Sequence, residues 1–239
     1  MLSSSIHNSP IIISTMPRAL IFDFDGLILD TETAVYEGWR ELYAEHGQPL
    51  PLETWAQCVG SDFGVYDPAA ALEKLVGTGA LLDWPALTSR RRQRVSEILV
   101  GKDTLPGVRQ LLREAGDHNI PCAVASSSPH EWVDRWLKQL GLWDYFFNVT
   151  CLEDTGGKVK PDPSLFLHAA SKLEVDPAQA VVFEDSLNGL RAATAAGMRC
   201  VVVPCAITSH LDFQGAWRQL RSLEEVTVPE LFQLFRASH

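Results

Sequence analysis

Apolar residues fall into two alternating patterns along this chain. Short unbroken runs form the first: Ala19-Leu20-Ile21-Phe22 stops abruptly at the carboxylates of Asp23 and Asp25 and at Gly26. A run of that kind reads as a parallel strand, buried on both faces, that empties into a loop. Ile120–Ala125, Phe147–Thr150, Ala180–Phe183 and Cys200–Val203 have the same character. The second pattern repeats every 3.6 residues. Over Pro129–Leu140 it puts Trp132, Val133, Trp136, Leu137 and Leu140 on one helix face, and Ser164–Leu173 and Leu187–Ala196 continue it. Strand and helix alternating at this spacing predict βαβ units, hence an α/β parallel sheet with helices on both faces.

One stretch breaks the alternation. Between residues 31 and 101 the pattern is helical without strand runs: Glu32–His46 carries Val35, Trp39, Leu42 and Tyr43 on one face, and Trp84–Val100 carries Arg90, Arg91, Arg92 and Arg94. A helical block inserted after the first strand predicts a cap (31–101) over a core built from 17–30 and 102–239. The arginines read as a solvated helix face rather than a phosphate site. Residues 1–16, Ser-rich and without a basic start, read as a flexible leader, with Met16 as an alternative first residue; the run Ile11-Ile12-Ile13 is too short to span a bilayer.

Composition narrows the function. Of 239 residues, 46% are hydrophobic and 21% charged, as in a soluble enzyme; no membrane association is expected. Twenty Lys and Arg against thirty Asp and Glu give a net charge of −10, which repels nucleic acid. Five cysteines without a CxxC pair predict reduced thiols, a cytoplasmic location and no disulfide framework. No long apolar stripe marks a subunit interface, so a monomer is expected.

Four short segments carry candidate chemistry. Asp23-Phe24-Asp25-Gly26 places two acids just past a strand, with a glycine that lets the loop bend. Leu27 at the next alternate position excludes an EF-hand. Ser126-Ser127-Ser128 ends the second strand; Ser128-Pro129 reads as a helix cap and Ser126 as a ligand for an anion. Lys160 lies in the loop after the third strand, which Pro161 and Pro163 stiffen. Glu184-Asp185 closes the fourth run, and two buried acids there call for a cation. Each segment follows a different strand. A parallel sheet presents those ends on one edge, so Asp23, Asp25, Ser126, Lys160 and Asp185 are expected to converge.

This set of motifs, spread over residues 18–210, resembles the haloacid dehalogenase-like superfamily. The longer stretch Asp23-Phe-Asp-Gly-Leu-Ile-Leu-Asp-Thr-Glu32, with Glu184-Asp-Ser-Leu-Asn-Gly189 and Ala195-Ala-Gly-Met198, is similar to its helical-cap branch of sugar-phosphate phosphatases and β-phosphoglucomutase. The resemblance implies a Rossmann-like core and a Mg²⁺-dependent phosphatase acting on a small phosphorylated metabolite. Asp23 would be the nucleophile, Asp25 the acid and base, and Ser126 and Lys160 the phosphoryl contacts. Asp23, Asp25, Asp185 and Glu184 would serve the metal, and Gly26, Glu32, Ser127 and Ser128 the substrate.

Three departures from the mutase pattern favour water as the phosphoryl acceptor. Asp62 stands where the mutase cap has arginine, in Val59-Gly60-Ser61-Asp62; Pro129 and His130 follow the serines in place of Lys and Asn; and Val35 replaces a cap histidine. Haloacid dehalogenation would need no Glu184-Asp185 pair. Lys74, the lysine inside the predicted cap, carries no mark of a Schiff-base residue. A non-catalytic relative would have lost a carboxylate or the lysine, and none is lost.

Overall fold

The computed structural model describes residues 16–55, 66–77 and 82–237. The leader Met1–Thr15, the segment Val59-Gly60-Ser61-Asp62 with neighbouring Phe63, and Cys58 lie outside the described residues.

Six strands form one parallel sheet in the order β3-β2-β1-β4-β5-β6. They are β1 (Ala19–Phe22), β2 (Cys122–Ala125), β3 (Asn148–Thr150), β4 (Ala180–Glu184), β5 (Arg199–Val202) and β6 (Arg218–Gln219). The chain order reverses between β1 and β4, which pair Ala19 with Ala180 through Phe22 with Phe183. Their carboxyl ends therefore open side by side, at the crevice where α/β sheets bind ligands.

Strand alternation divides the core into two layers. Leu20, Phe22, Val124, Phe183 and Val201 face α5 (Val108–Asp117), α6 (His130–Gln139) and α9 (Val228–Ala237). Ile21, Ala123, Val182 and Val202 face α7 (Ser164–Lys172) and α8 (Leu187–Ala195). This is the predicted two-faced α/β architecture.

Segment 31–101 contributes α1 (Thr31–Glu45), α2 (Leu52–Trp55), α3 (Pro68–Val76) and α4 (Trp84–Leu99). Asp30, Asp67 and Asp83 cap α1, α3 and α4 by accepting backbone N–H groups of the first turn. Their shared apolar cluster joins Leu42, Tyr43, Leu50, Trp55 and Leu72 to Cys205 and Ile207 from the loop after β5. Three of the four arginines tie α4 to α1. Arg90 pairs with Glu45, Arg94 with Glu41 at 2.7 Å, and Arg91 lies 4.5 Å from the centre of the Trp39 ring. Gly38 admits this close packing, since a methyl group there would press on Val95 and Arg91 at 2.9 and 3.3 Å.

The structure corrects several sequence expectations. The second and third strands begin later than Ile120 and Phe147, at Cys122 and Asn148. β4 extends through Glu184. Strand β6 has no sequence signature: two exposed polar residues pair with β5 through backbone alone. Helices α2, α3, α5 and α9 complete the nine helices seen among the described residues.

Candidate active site

Asp23 follows β1 directly, its N–H donating to Phe183 O at 2.9 Å, which locks the β1 end against β4. From there the Asp23 carboxylate accepts the Lys160 ammonium at 2.5 Å, and the same ammonium reaches Glu184 Oε1 at 2.5 Å. Lys160 is aimed from three sides. Its backbone N–H donates to Ser127 Oγ at 3.2 Å, its ammonium lies 4.8 Å from the centre of the Phe166 ring, and the two acids hold its tip. Burial alone would lower this ammonium's pKa, but Asp23 and Glu184 outweigh that and hold it well above the lysine range.

Asp23, Glu184 and Asp185 bring carboxylate oxygens within 4.8 Å of one another. All three are buried, at 6%, 0% and 3% exposure. Burial raises Asp23 and Asp185 well above the carboxylate range, and Glu184 adds to both. Lys160 pulls Asp23 back down in part. One ammonium against three carboxylates leaves two negative charges unbalanced in a buried place, which is costly. Asp185 Oδ2, moreover, is buried with no hydrogen-bond partner. An unbalanced charge of −2, hard oxygen donors and an orphaned carboxylate oxygen fit a divalent cation such as Mg²⁺.

The two adjacent acids differ in orientation. Glu184 turns back over the start of α8: Oε2 accepts Asp185 N–H at 3.0 Å, Ser186 N–H at 3.2 Å and Ser186 Oγ–H at 3.0 Å. With Oε1 on Lys160, both its oxygens are engaged. Asp185 points the other way, toward Gly26 and the Cys205 thiol. Gly26 has φ +78° and its N–H donates to Leu29 O at 2.9 Å; a Cβ there would collide with the Asp185 carboxylate. Glu32, half-buried beside Gly26, has its carboxyl raised by burial to about 7, with Asp25 and Asp30 adding to the rise.

Asp25 faces a separate set of partners. Its Oδ2 accepts Ser128 Oγ–H at 2.7 Å and Ser126 Oγ–H at 3.2 Å, and its Oδ1 accepts the Trp132 indole N–H at 2.9 Å. Ser126 is fully buried and its Oγ accepts Ser128 N–H at 3.0 Å. The expectation that Ser128 caps α6 is corrected here. Pro129 occupies the cap position without a side-chain bond, and the free amide of His130 is taken instead by the Glu153 carboxylate, at 3.2 and 3.1 Å. His130 is neither free nor close-packed: it pairs with Asp134 at 3.0 Å and Asp154 at 2.8 Å.

The sheet edge thus gathers Asp23, Asp25, Ser126, Lys160 and Asp185, with Gly26, Glu32, Ser127, Ser128 and Glu184 around them. Sequence reasoning missed Trp132, placed on the apolar face of α6, and Cys205. The indole N–H four residues after Ser128 was the available signal for the first. The second had none.

A parallel sheet of this order puts the acids of two adjacent strand ends in the crevice where α/β sheets bind ligands. A family model for haloacid dehalogenase-like hydrolases matches residues 17–197. The chain is 43% identical over 211 residues to a putative phosphatase, YhcW of Bacillus subtilis, covering 88% of this chain and 94% of that one. It is 32% identical over 181 residues to a phosphorylated carbohydrates phosphatase of Thermotoga maritima, covering 76% and 82%. Among solved structures, CbbY of Rhodobacter sphaeroides in complex with phosphate superimposes with a TM-score of 0.71 at 30% identity, covering 88% of this chain and 96% of that one. The chain belongs to the haloacid dehalogenase-like hydrolase family and is an enzyme of its phosphatase class.

Proposed function

We propose that this enzyme is a Mg²⁺-dependent phosphatase that hydrolyses a small phosphate monoester, a sugar phosphate in the first instance, through a phosphoryl group carried on Asp23. The observation that carries the reading is the buried cluster of Asp23, Glu184 and Asp185 with a single opposing ammonium, Lys160. The relative named for phosphorylated carbohydrates supports the substrate class.

Asp23 and Asp185 would hold the cation directly with the backbone carbonyl of Asp25, while Glu184, engaged by Lys160, stands behind them. When bound, the ion offsets negative charge between the attacking carboxylate and the phosphoryl dianion. Asp23, its charged form favoured by Lys160 against the opposing effect of burial, attacks phosphorus as the bond to the ester oxygen breaks. Asp25 gives a proton to the departing alkoxide. It then takes one from the water that attacks the acyl phosphate, so the carboxylate and inorganic phosphate are regenerated. Lys160 and Ser126 hold phosphoryl oxygens as charge develops on them. Gly26 keeps the loop clear of Asp185, and Ser127 fixes the Lys160 backbone.

Residues 31–101 serve as a helical cap over this edge, and Glu32 is its first residue to reach the pocket. Ser128 is bound to Asp25 and acts through it rather than on substrate directly. We place the enzyme in the cytoplasm, in line with the four described cysteines being unpaired and buried, and take it to act as a monomer. Among the described residues no helix is long and apolar enough to cross a membrane.

The test is phosphate release from a panel of sugar phosphates with and without Mg²⁺. Release that needs the metal is expected. Conversion of a hexose 1-phosphate to its isomer without phosphate release would instead make the enzyme a mutase, and no turnover of any ester would end the proposal.

A further inference from the structure

A second group of metal-ligating side chains lies outside the phosphoryl pocket, between the start of α6 and the turn that follows β3. His130 and Asp134 stand four residues apart and so share one face of α6. Nδ1 of His130 meets Asp134 at 3.0 Å. The thiol of Cys151, the residue just past β3, approaches both: a His130 ring nitrogen, an Asp134 oxygen and Cys151 Sγ lie within 4.8 Å of one another. Ligands about 2.0–2.3 Å from a tetrahedral Zn²⁺ are about 3.3–3.6 Å apart, so closing these three around an ion takes movements of about an ångström.

Three further observations favour a cation here. Nε2 of His130 meets Asp154 at 2.8 Å. A carboxylate on the far nitrogen holds the neutral ring with its hydrogen there, which leaves a lone pair on Nδ1; metal-bound histidines are backed in this way. Asp154 is in turn held by the Cys151 N–H at 2.8 Å. Cys151 is fully buried; its sulfur accepts the Asp154 N–H, and among the described residues no acceptor takes its own hydrogen. Finally, three carboxylates, Asp134, Glu153 and Asp154, stand against this single imidazole. The His130 and Asp134 side chains are 34% and 26% exposed, which opens a way in from solvent.

We propose that His130 Nδ1, Asp134 and Cys151 bind a Zn²⁺ ion, with Asp154 as the outer partner of the imidazole and water in the fourth position. Sulfur and imidazole suit Zn²⁺, whereas the all-oxygen set of Asp23, Glu184 and Asp185 suits Mg²⁺, so ligand chemistry sorts the two ions. On binding, the Cys151 hydrogen, and the Nδ1 hydrogen where the ring is charged, leave to solvent as protons. The ion joins α6 to the turn after β3, and its site is independent of the phosphatase reading.

The experiment titrates Zn²⁺ alone into the full-length enzyme in excess Mg²⁺, with Co²⁺ as a coloured stand-in whose thiolate absorption in the near ultraviolet reports sulfur ligation. One thiolate-bound ion per chain is expected, in the parent, in Asp185→Asn and in Cys205→Ser alike. Asp154→Asn should weaken Zn²⁺ binding by about 10–100-fold, and Cys151→Ser or Asp134→Asn by more. Cys151→Ser should also lose the absorption. Asp134→Asn, on the solvent side, keeps the test decisive should Cys151→Ser not fold. An absence of thiolate absorption would overturn the proposal. So would an absorption and affinity that persist in Cys151→Ser or Asp134→Asn, or a loss of both in Cys205→Ser or Asp185→Asn.

Discussion

Gly189 provides a test in which two ordinary effects oppose each other. It sits in the first turn of α8, where alanine is the better helix former by up to about 1 kcal/mol. Its backbone does not need glycine, because its φ is not positive. What it does need is space: a Cβ at position 189 would fall inside the van der Waals envelope of the Glu184 carboxylate. Gly189→Ala must therefore push Glu184 off the start of α8. That breaks its bonds to Asp185 N–H, Ser186 N–H and Ser186 Oγ–H and loosens its contact with Lys160. Breaking a buried, hydrogen-bonded charge pair costs about 3–5 kcal/mol, so the clash outweighs the helix gain and leaves a net loss of about 2–4 kcal/mol. For a chain of this size that lowers Tm by roughly 5–15 °C. Thermal unfolding followed by circular dichroism measures it, with Gly116→Ala in α5 as control. That glycine is exposed with nothing within 4 Å of its would-be Cβ, and alanine there should stabilise by about 0.5–1 kcal/mol. A Gly189→Ala protein as stable as the parent would refute the placement of Glu184.

Two further outcomes follow from the charges. Mg²⁺ should raise Tm by an amount that grows with its concentration, about 2.7 kcal/mol at a hundredfold excess over Kd. Asp185→Asn should abolish that rise, and an unchanged shift in the variant would place the ion elsewhere. Burial works against the charged form of His130, but Asp134 and Asp154 more than compensate and raise its pKa. A raised folded value means the pair stabilises fully below the unfolded value of about 6.5 and less as pH climbs through the folded one. With His130 partly exposed, His130→Gln should cost about 0.5–1 kcal/mol near pH 5.5 and almost nothing near pH 9. Urea denaturation at the two pH values checks this, and an equal loss at both would remove the charge from the explanation.

The sheet and the five convergent residues were legible because each of Asp23, Ser126, Lys160 and Asp185 follows an apolar run, and parallel strands leave those ends nowhere to go but one edge. Other features required coordinates. Glu184 and Asp185 are neighbours of like charge, and nothing in sequence tells which turns back to α8 and which keeps an unpartnered oxygen. Trp132 fits the apolar repeat of α6, so its indole N–H was hidden behind its ring. Ser128 before Pro129 carries the pattern of a helix cap, yet the fold spends its hydroxyl on Asp25 and brings Glu153 across to the helix amide. Strand β6 leaves no trace because backbone pairing alone recruits it. Helix α5 was missed although Val108, Leu111, Leu112 and Ala115 stand at helical spacing.

The account turns on Asp23 as the atom-to-atom acceptor of the phosphoryl group. Rapid acid quench during turnover, followed by peptide mass mapping, tests it most directly. The peptide containing Asp23 should carry one phosphoryl group in the parent enzyme and none in Asp23→Asn, which should also be inactive while folding normally. A phosphoryl group on a different residue, or full turnover by Asp23→Asn, would contradict the account.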